Sequence, residues 1–400
     1  MNAQILQGKI RRYNNCLSYL IENAIIETDN QYIAGSKSKG YRLAREYAEQ
    51  EYQADNITKF SLIKKSREDR EREIALKRNY GHLTKWFDNG LQIDYDGAVS
   101  TLKVLLEKDQ EEGISNALER YQLRLLSVEK LQKGIFSLNV DDTDRRFHSN
   151  ITNLKSELRN HLTYNGQQLC SIDIKNSQPF LSTILFNPYF YNKGGNGVCL
   201  YNLSPKIFQT AKPVFSSILS TISPFNSIIM LVKSDVTQCS SDIELYCTLV
   251  DKGGLYDYLN EQYYLKTGIK FDLSIPVQKR QLKQTVFVTF FSDNRFLYQD
   301  EAENKLFFAE LFPSVYQIFK LVKRGDNSRL AVILQLMESE IVLQRATKAI
   351  SRSYPELPIF TIHDSIVTLS EYREVVRQEL KAQCEGVIGL QPSLSYDQWQ

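Results

Sequence analysis

Hydrophobic residues recur at helical spacing along LAVILQLMESEIVLQRATKAI (330–350), which predicts one long helix. QLCSIDI (168–174) instead reads as a short buried strand carrying Asp173 near its end. LPIFTIHDSIVTLS (357–370) reads as strand, tight turn and strand, with His363, Asp364 and Ser365 at the turn. Residues 274–292, SIPVQKRQLKQTVFVTFFS, open with Ser and an early Pro as a helix does, although the TVFVTFF half favours a strand. Residues 1–135 are expected to be mostly helical. Within them, residues 61–80 hold seven basic and four acidic side chains, a mixture that marks a solvated helix face before a nucleic-acid contact. NVDDTD (139–144) is a polar, turn-forming break and marks the first boundary. FNPYFYNKGGNGVCLYN (186–202) reads as loop, and its GGNG as a turn, because no G-K-[ST] follows to make a phosphate loop. There is no internal repeat.

Composition narrows the class. A chain of 400 residues, 42% hydrophobic and 24% charged, is globular and long enough for two to three domains. The longest mainly apolar run, Pro213 to Val232, is interrupted by serines, Pro224 and Asn226, and falls short of a membrane span. The first residues, MNAQILQGKIRRYNNC, lack the apolar core of a signal peptide. Six cysteines lie far apart with no C-x-x-C pair, as expected of reduced thiols in a cytoplasmic protein. Membrane, secreted and fibrous classes are thereby set aside.

The net charge of +2 conceals a segregation. The 77 residues between Glu157 and Asp235 contain a single acid, Asp173, against six bases (Arg159, Lys175, Lys193, Lys206, Lys212 and Lys233). A lone carboxylate in a basic stretch suits a metal site that meets phosphates; a buried Ser/Asn-rich region would be equally poor in acid. Asp173 and Asp364, each beside a strand end, could hold paired divalent ions, or could be ordinary turn acids facing water. Lys279, Lys283, Phe287 and Phe291 recur every four residues and form one stripe on a helix. Two cations and two rings suit a nucleoside triphosphate; the alternative is an amphipathic helix that buries both rings while the lysines reach out to water.

Taken together, these residues resemble the A-family DNA polymerases and their relatives, the single-subunit phage-type RNA polymerases. The family's first palm motif, an Asp at a strand end followed by Ser-Gln, is matched by SIDIKNSQP. Its fingers motif, R-x-x-x-K-x-x-x-F-x-x-x-Y-G, is matched by Lys279, Lys283, Phe287, Phe291 and Ser292. Its last palm motif, His-Asp-Glu or, in the RNA polymerases, His-Asp-Ser, is matched by His363, Asp364 and Ser365. A G-R motif with Asn-Leu seven and eight residues beyond the Arg is similar to Arg146, Asn153 and Leu154, and a Gln that faces the nucleic acid is similar to Gln335. The resemblance covers roughly residues 145–370. Departures are specific: Ser177-Gln178 falls two positions late, Gln178 stands where the DNA polymerases carry a Glu, Phe291 replaces Tyr, Ser292 replaces Gly, Lys279 replaces Arg, and Arg145 replaces the Gly of G-R.

The resemblance implies an α+β right-hand polymerase in a minimal form without an exonuclease. Residues 1–140 would be a helical, thumb-like N-terminal region, 141–190 and 331–400 the two parts of an antiparallel palm, and 191–330 helical fingers. It implies two Mg²⁺ ions, replaceable by Mn²⁺, on Asp173, Asp364 and the Ile174 carbonyl. Lys283 would act on the triphosphate, with Lys279, Phe287, Phe291 and Gln178 binding the nucleotide and Arg146, Gln335 and His363 touching primer–template. The partners expected are primer–template nucleic acid and nucleoside triphosphates, in a bacterial or phage-encoded cytoplasmic enzyme that does not meet a membrane. Arg146 and Gln335 favour a DNA product, and Ser365 favours a compact RNA polymerase or primase. Gln178 and Phe291 cannot form the bond that Glu and Tyr make in the DNA polymerases, so ribonucleotides should enter alongside preferred deoxynucleotides. A non-catalytic nucleic-acid-binding protein is the alternative of another class, against which Asp173, Lys283 and Asp364 stand intact.

Overall fold

Packing divides the chain into two units, Met1–Gly81 and His82–Gln400. The computed structural model describes residues 7, 10, 12–31, 39–48, 60–193, 197–223, 237, 239, 241–297 and 302–399, the side chains of 60–68 excepted. Of the expected GGNG turn, residues 194–196 lie outside the described residues. In the first unit, α1 (Tyr13–Glu22) precedes an antiparallel ribbon of β1 (Ile26–Thr28) and β2 (Tyr41–Leu43), so this region is not helical throughout. The helix α2 (Phe60–Thr84) has non-helical backbone at Tyr80, where the units divide.

The second unit begins with β3 (Leu91–Ile93) and two packed helices, α3 (Tyr95–Glu111) and α4 (Ala117–Gln132). The expected break at 139–144 is the turn of a small ribbon, β4 (Asn139–Val140) against β5 (Phe147–His148). β6 (Leu162–Tyr164) and β7 (Gln167–Ile174) follow as a hairpin over Asn165-Gly166, both at positive φ, as a two-residue turn between twisted strands demands. After α5 (Ser177–Ser182) the expected loop contains short helical turns at Pro188–Tyr191 and Leu200–Leu203. Helices α6 (Asp242–Asp251), α7 (Leu255–Thr267), α8 (Pro276–Phe291), α9 (Ala302–Leu311), α10 (Pro313–Val322) and α11 (Arg329–Ser339) come next. α11 continues through a π-helical stretch, Glu340–Ala346, into Thr347–Ser353. β8 (Phe360–Ile362), β9 (Ser365–Leu369), α12 (Arg373–Ile388) and β10 (Leu394–Gln398) complete the described chain.

One antiparallel sheet organises this unit, in the order β3-β6-β7-β9-β8, with β10 also paired to β7. Its centre is β7, where Leu169, Cys170, Ser171, Ile172 and Ile174 are all buried and α12 packs alongside. The result is a mixed helix-and-sheet architecture. Burial at the end of β7 sets the register: Asp173 lies opposite Ser365 on one side and Ser395 on the other.

The strand-prone half of residues 274–292 is helical because its helix face has somewhere to go. Leu282, Thr285, Val286, Thr289 and Phe290 are buried at spacings of three and four, and that packing outweighs local preference. The C-terminal end of α8 is then held by two fully buried lysines. Lys323 Nζ donates to the Thr289 and Ser292 carbonyls at 2.8 and 3.1 Å, and Lys305 Nζ to those of Asp293 and Phe296 at 2.6 and 3.2 Å. Carbonyls left without partners at a helix end, at the negative pole of its dipole, are natural seats for ammonium groups.

Candidate active site

The two aspartates meet through backbone register. Ile362 pairs with Ser365, so His363 and Asp364 form a two-residue hairpin turn, and Ser365 pairs in turn with Asp173. His363 has φ +52°, a conformation that a residue with a Cβ adopts at some cost, and the Ser365 hydroxyl steadies the turn by donating to the Ile362 carbonyl at 2.7 Å. The Asp173 and Asp364 carboxyls come within hydrogen-bonding reach of each other. Burial raises the Asp173 carboxyl well above the usual range, and the charge of Asp364 raises it further. The Lys175 N–H donates to Ser393 O at 2.9 Å, and strand alternation therefore turns the Ile174 carbonyl away from β10, toward β9 and Asp364.

A third carboxylate, which the sequence did not single out, stands beside this pair. Glu338 on α11 is 2% exposed and is gripped by Arg146, whose Nε and Nη2 donate to its two oxygens at 2.9 and 2.7 Å. Burial pushes the Glu338 carboxyl up to about 7 against the pull of Arg146. Gln178 Nε2 donates to the same carboxylate at 3.2 Å. One residue further, the Ser339 hydroxyl donates to the Asp144 carbonyl at 2.8 Å, so the turn before β5 is tied to α11 twice. Gln335, part-buried, lies three residues before Glu338 and on the same side of the helix. The Arg146 guanidinium expected to face nucleic acid is thus largely occupied by Glu338. Within LQLMESE the two acids, Glu338 and Glu340, both look like part of the polar face of an amphipathic helix, and only the fold shows Glu338 turned inward.

The stripe on α8 departs from the amphipathic alternative. Phe287 and Phe291 are 57% and 36% exposed, with ring centroids 4.9 Å apart, and Lys279 and Lys283 are exposed beside them. Large rings left in solvent on the same face as two cations are a candidate ligand surface. Lys283 makes no hydrogen bond or ion pair among the described residues. Its Nζ sits 5.7 Å from the ring centre of Tyr256 on α7, and its charge reaches Asp173. Asp173, Asp364, Glu338, Gln178, Arg146 and Lys283 are therefore linked by contact or by field. His363 is exposed at the turn, its ring 6.5 Å from that of His148.

Among the described residues there is no group of three or more His, Cys, Asp or Glu side chains arranged to hold a metal. The aspartate pair nonetheless fits a small oxygen-loving dication of the kind held by one or two carboxylates plus ligand phosphates, since among the described residues no cation neutralises these two confined carboxylates by direct contact. Among the described residues no helix is long and apolar enough to cross a membrane.

No protein-family model matches the sequence, and no curated protein matches it. Among solved structures, the POL domain of Pol1 from M. smegmatis, in complex with DNA primer-template and dNTP, is similar with a TM-score of 0.43 and 11% identity. The match covers 75% of this chain and 56% of that one. The likeness is coarse.

Proposed function

We propose that this chain is a template-directed nucleotidyltransferase that extends a primer 3′-hydroxyl, in a right-hand arrangement with the sheet as palm and α8 in the fingers. The observation that carries the reading is the register that brings Asp173 against the turn bearing Asp364, at the end of the sheet's largely buried central strands β7, β8 and β9. Asp173, Asp364 and the Ile174 carbonyl would hold two Mg²⁺ ions, with Mn²⁺ as a substitute. Such ions supply activation of the attacking hydroxyl and neutralisation of the departing pyrophosphate.

The protein's own groups do the rest. Lys283, which has no anionic partner in direct contact among the described residues, neutralises triphosphate charge and gives a proton to the leaving pyrophosphate. Lys279 adds charge to the same row, while the exposed Phe287 and Phe291 rings offer apolar faces to base and sugar. Gln335 and His363 would meet primer–template together with Arg146, which keeps one terminal nitrogen free of Glu338. In the reaction the primer oxygen bonds to the α-phosphorus and the bond to the bridging oxygen breaks.

Primer extension with either nucleotide sugar tests the reading. Extension should require a divalent cation, stop with a chelator and resume when Mg²⁺ or Mn²⁺ is restored. Cation-independent extension, or none under any condition from folded protein, would overturn it.

A further inference from the structure

A second group of unsatisfied charges lies away from the carboxylates, where α10 hands over to α11. A cavity of about 1050 Å³ opens there in the second unit, with Lys206, Arg324 and Arg329 in its wall. The Lys206 and Arg324 side chains are exposed and make no hydrogen bond or ion pair among the described residues. Arg329 is recessed, 5% exposed, and its Nη1 donates to the Val322 and Arg324 carbonyls at 3.1 Å each. Its Nε is buried without a partner, and its Nη2 makes no hydrogen bond either. This Nε–Nη2 edge is the one by which Arg146 grips both oxygens of Glu338, and on Arg329 it stands unfilled. A guanidinium buried so deeply ordinarily has an oxyanion on that edge. Two acids share the wall. Asp326 is drawn onto its own turn by the Ser328 N–H and hydroxyl, and the charges of both Arg329 and Lys206 reach it. These two cations therefore converge, and in the wall only Asp142 is left to oppose an anion.

Charge, depth and wall then narrow the ligand. Three cations at the N-terminal, positive pole of an 11-residue helix call for an anion. A phosphodiester within a strand could touch Lys206 and Arg324 from outside, but a sugar on each side keeps it at the surface. A phosphomonoester, attached on one side only, can enter end-on and bring two oxygens to the recessed edge of Arg329. Its second charge also suits the two unpaired cations beside it. Ile207, Val214 and Val332 add apolar wall, and the volume exceeds that of a phosphate alone, so a sugar and base can follow it in. A strand extended at its 3′-hydroxyl carries its monoester at the 5′ end. We infer that the cavity receives the 5′-phosphomonoester of a nucleotide, at a strand end or free, with Arg329 as its seat and Lys206 and Arg324 as its flanks. For the nucleotide class of the ligand the inference rests on the nucleotidyl-transfer reading, but the cavity is a second site, on the far side of α11 from Glu338.

The test is fluorescence anisotropy of one 3′-labelled oligonucleotide ending in 5′-phosphate, 5′-hydroxyl or 5′-methyl phosphate, at fixed salt and without triphosphates. The methyl ester keeps the phosphorus but makes it a diester. The protein should bind the 5′-phosphate about 10- to 100-fold more tightly than either other end, the range for one bidentate charge-assisted contact. That ratio should fall to near one in Arg329→Met and at least fivefold in Lys206→Ala, Arg324→Ala. Arg329 also braces the end of α10; should its variant fail to melt cooperatively, the double variant decides alone. Competition by AMP and dAMP assigns the source: displacement near the strand's own affinity means a free nucleotide, and displacement only at 100-fold higher concentration means a strand end. Equal binding of all three ends overturns the inference, as does equal binding of the phosphate and its methyl ester, or an unchanged ratio in a folded variant. The ratio needs no catalysis. Folded protein that extends no primer would count against nucleotidyl transfer, while the binding of the three ends judges the cavity by itself.

Discussion

Confining two carboxylates within hydrogen-bonding reach sets stability against activity at single residues. Asp173 is raised by burial and by Asp364, so the folded chain without a cation carries an unfavourable pair. Under the proposed function, Asp364→Asn should therefore lower nucleotide incorporation by at least ~10³-fold while raising the melting temperature in chelator, because the repulsion is gone together with the charge proposed to hold the metal. Melting and primer extension measured on one preparation check both halves, and a lower melting temperature would show that the pair stabilises the turn. Lys283 makes a second case. Among the described residues only the Tyr256 ring and the distant field of Asp173 hold it, so under the proposed function Lys283→Ala should leave the fold intact and raise the triphosphate KM about tenfold or more. Primer–template affinity, read by fluorescence anisotropy, should barely move; its collapse would place this lysine in a nucleic-acid groove instead.

At the scale of elements, the anchoring of α8 by buried amines is open to a pH experiment. Burial lowers Lys323 to about 8, whereas an unfolded lysine titrates near ~10.4. Between those values the unfolded chain holds a proton that the native chain has released, so stability rises with pH across that window. Relative to Lys323→Met, wild type should gain up to about 3 kcal/mol in urea unfolding between pH 7.5 and 10. Parallel profiles would mean that Lys323 stays charged in the fold. Neither this lysine nor Lys305 was legible in the sequence, since a lysine in an apolar helix normally snorkels to water and these two are 0% exposed. What the sequence did display were elements whose pattern matches their burial. β7, the β8–β9 hairpin and α11 are mostly apolar where they are covered, and the aspartates could be located from them. β10, LSYDQ, is mostly polar, and β3 is three residues long, so neither left a pattern to read. Glu338 was hidden for the opposite reason: burial of a charge is decided by its partner, and Arg146 lies 192 residues away.

For the whole molecule, a net charge of +2 predicts little affinity for a polyanion, and any binding must come from local arrangement. In the second unit a cavity of about 1050 Å³ opens at the start of α11, lined by Lys206, Arg324 and Arg329, with Asp142 and Asp326. Asp326 is engaged locally, accepting from the Ser328 N–H and hydroxyl at 3.0 and 2.7 Å, which holds its carboxyl below the usual range. From Arg329 to Glu338 the same helix rises ~14 Å through about two and a half turns, so the basic cavity and the carboxylates lie at different heights and on opposite faces of α11. Under the proposed function, a nucleic-acid strand entering the site would wind around this helix and place phosphates against Lys206 and Arg324. Each phosphate contact releases condensed counterions and contributes ~0.7–0.9 to the slope of log affinity against log salt. The double variant Lys206→Ala, Arg324→Ala should reduce that slope by ~1.4–1.8 and weaken binding equally for primer–templates of unrelated sequence. Titrations at several salt concentrations decide it: an unchanged slope with reduced affinity would mean that the two side chains shape the cavity without meeting phosphate, and a loss confined to some sequences would mean that they read bases.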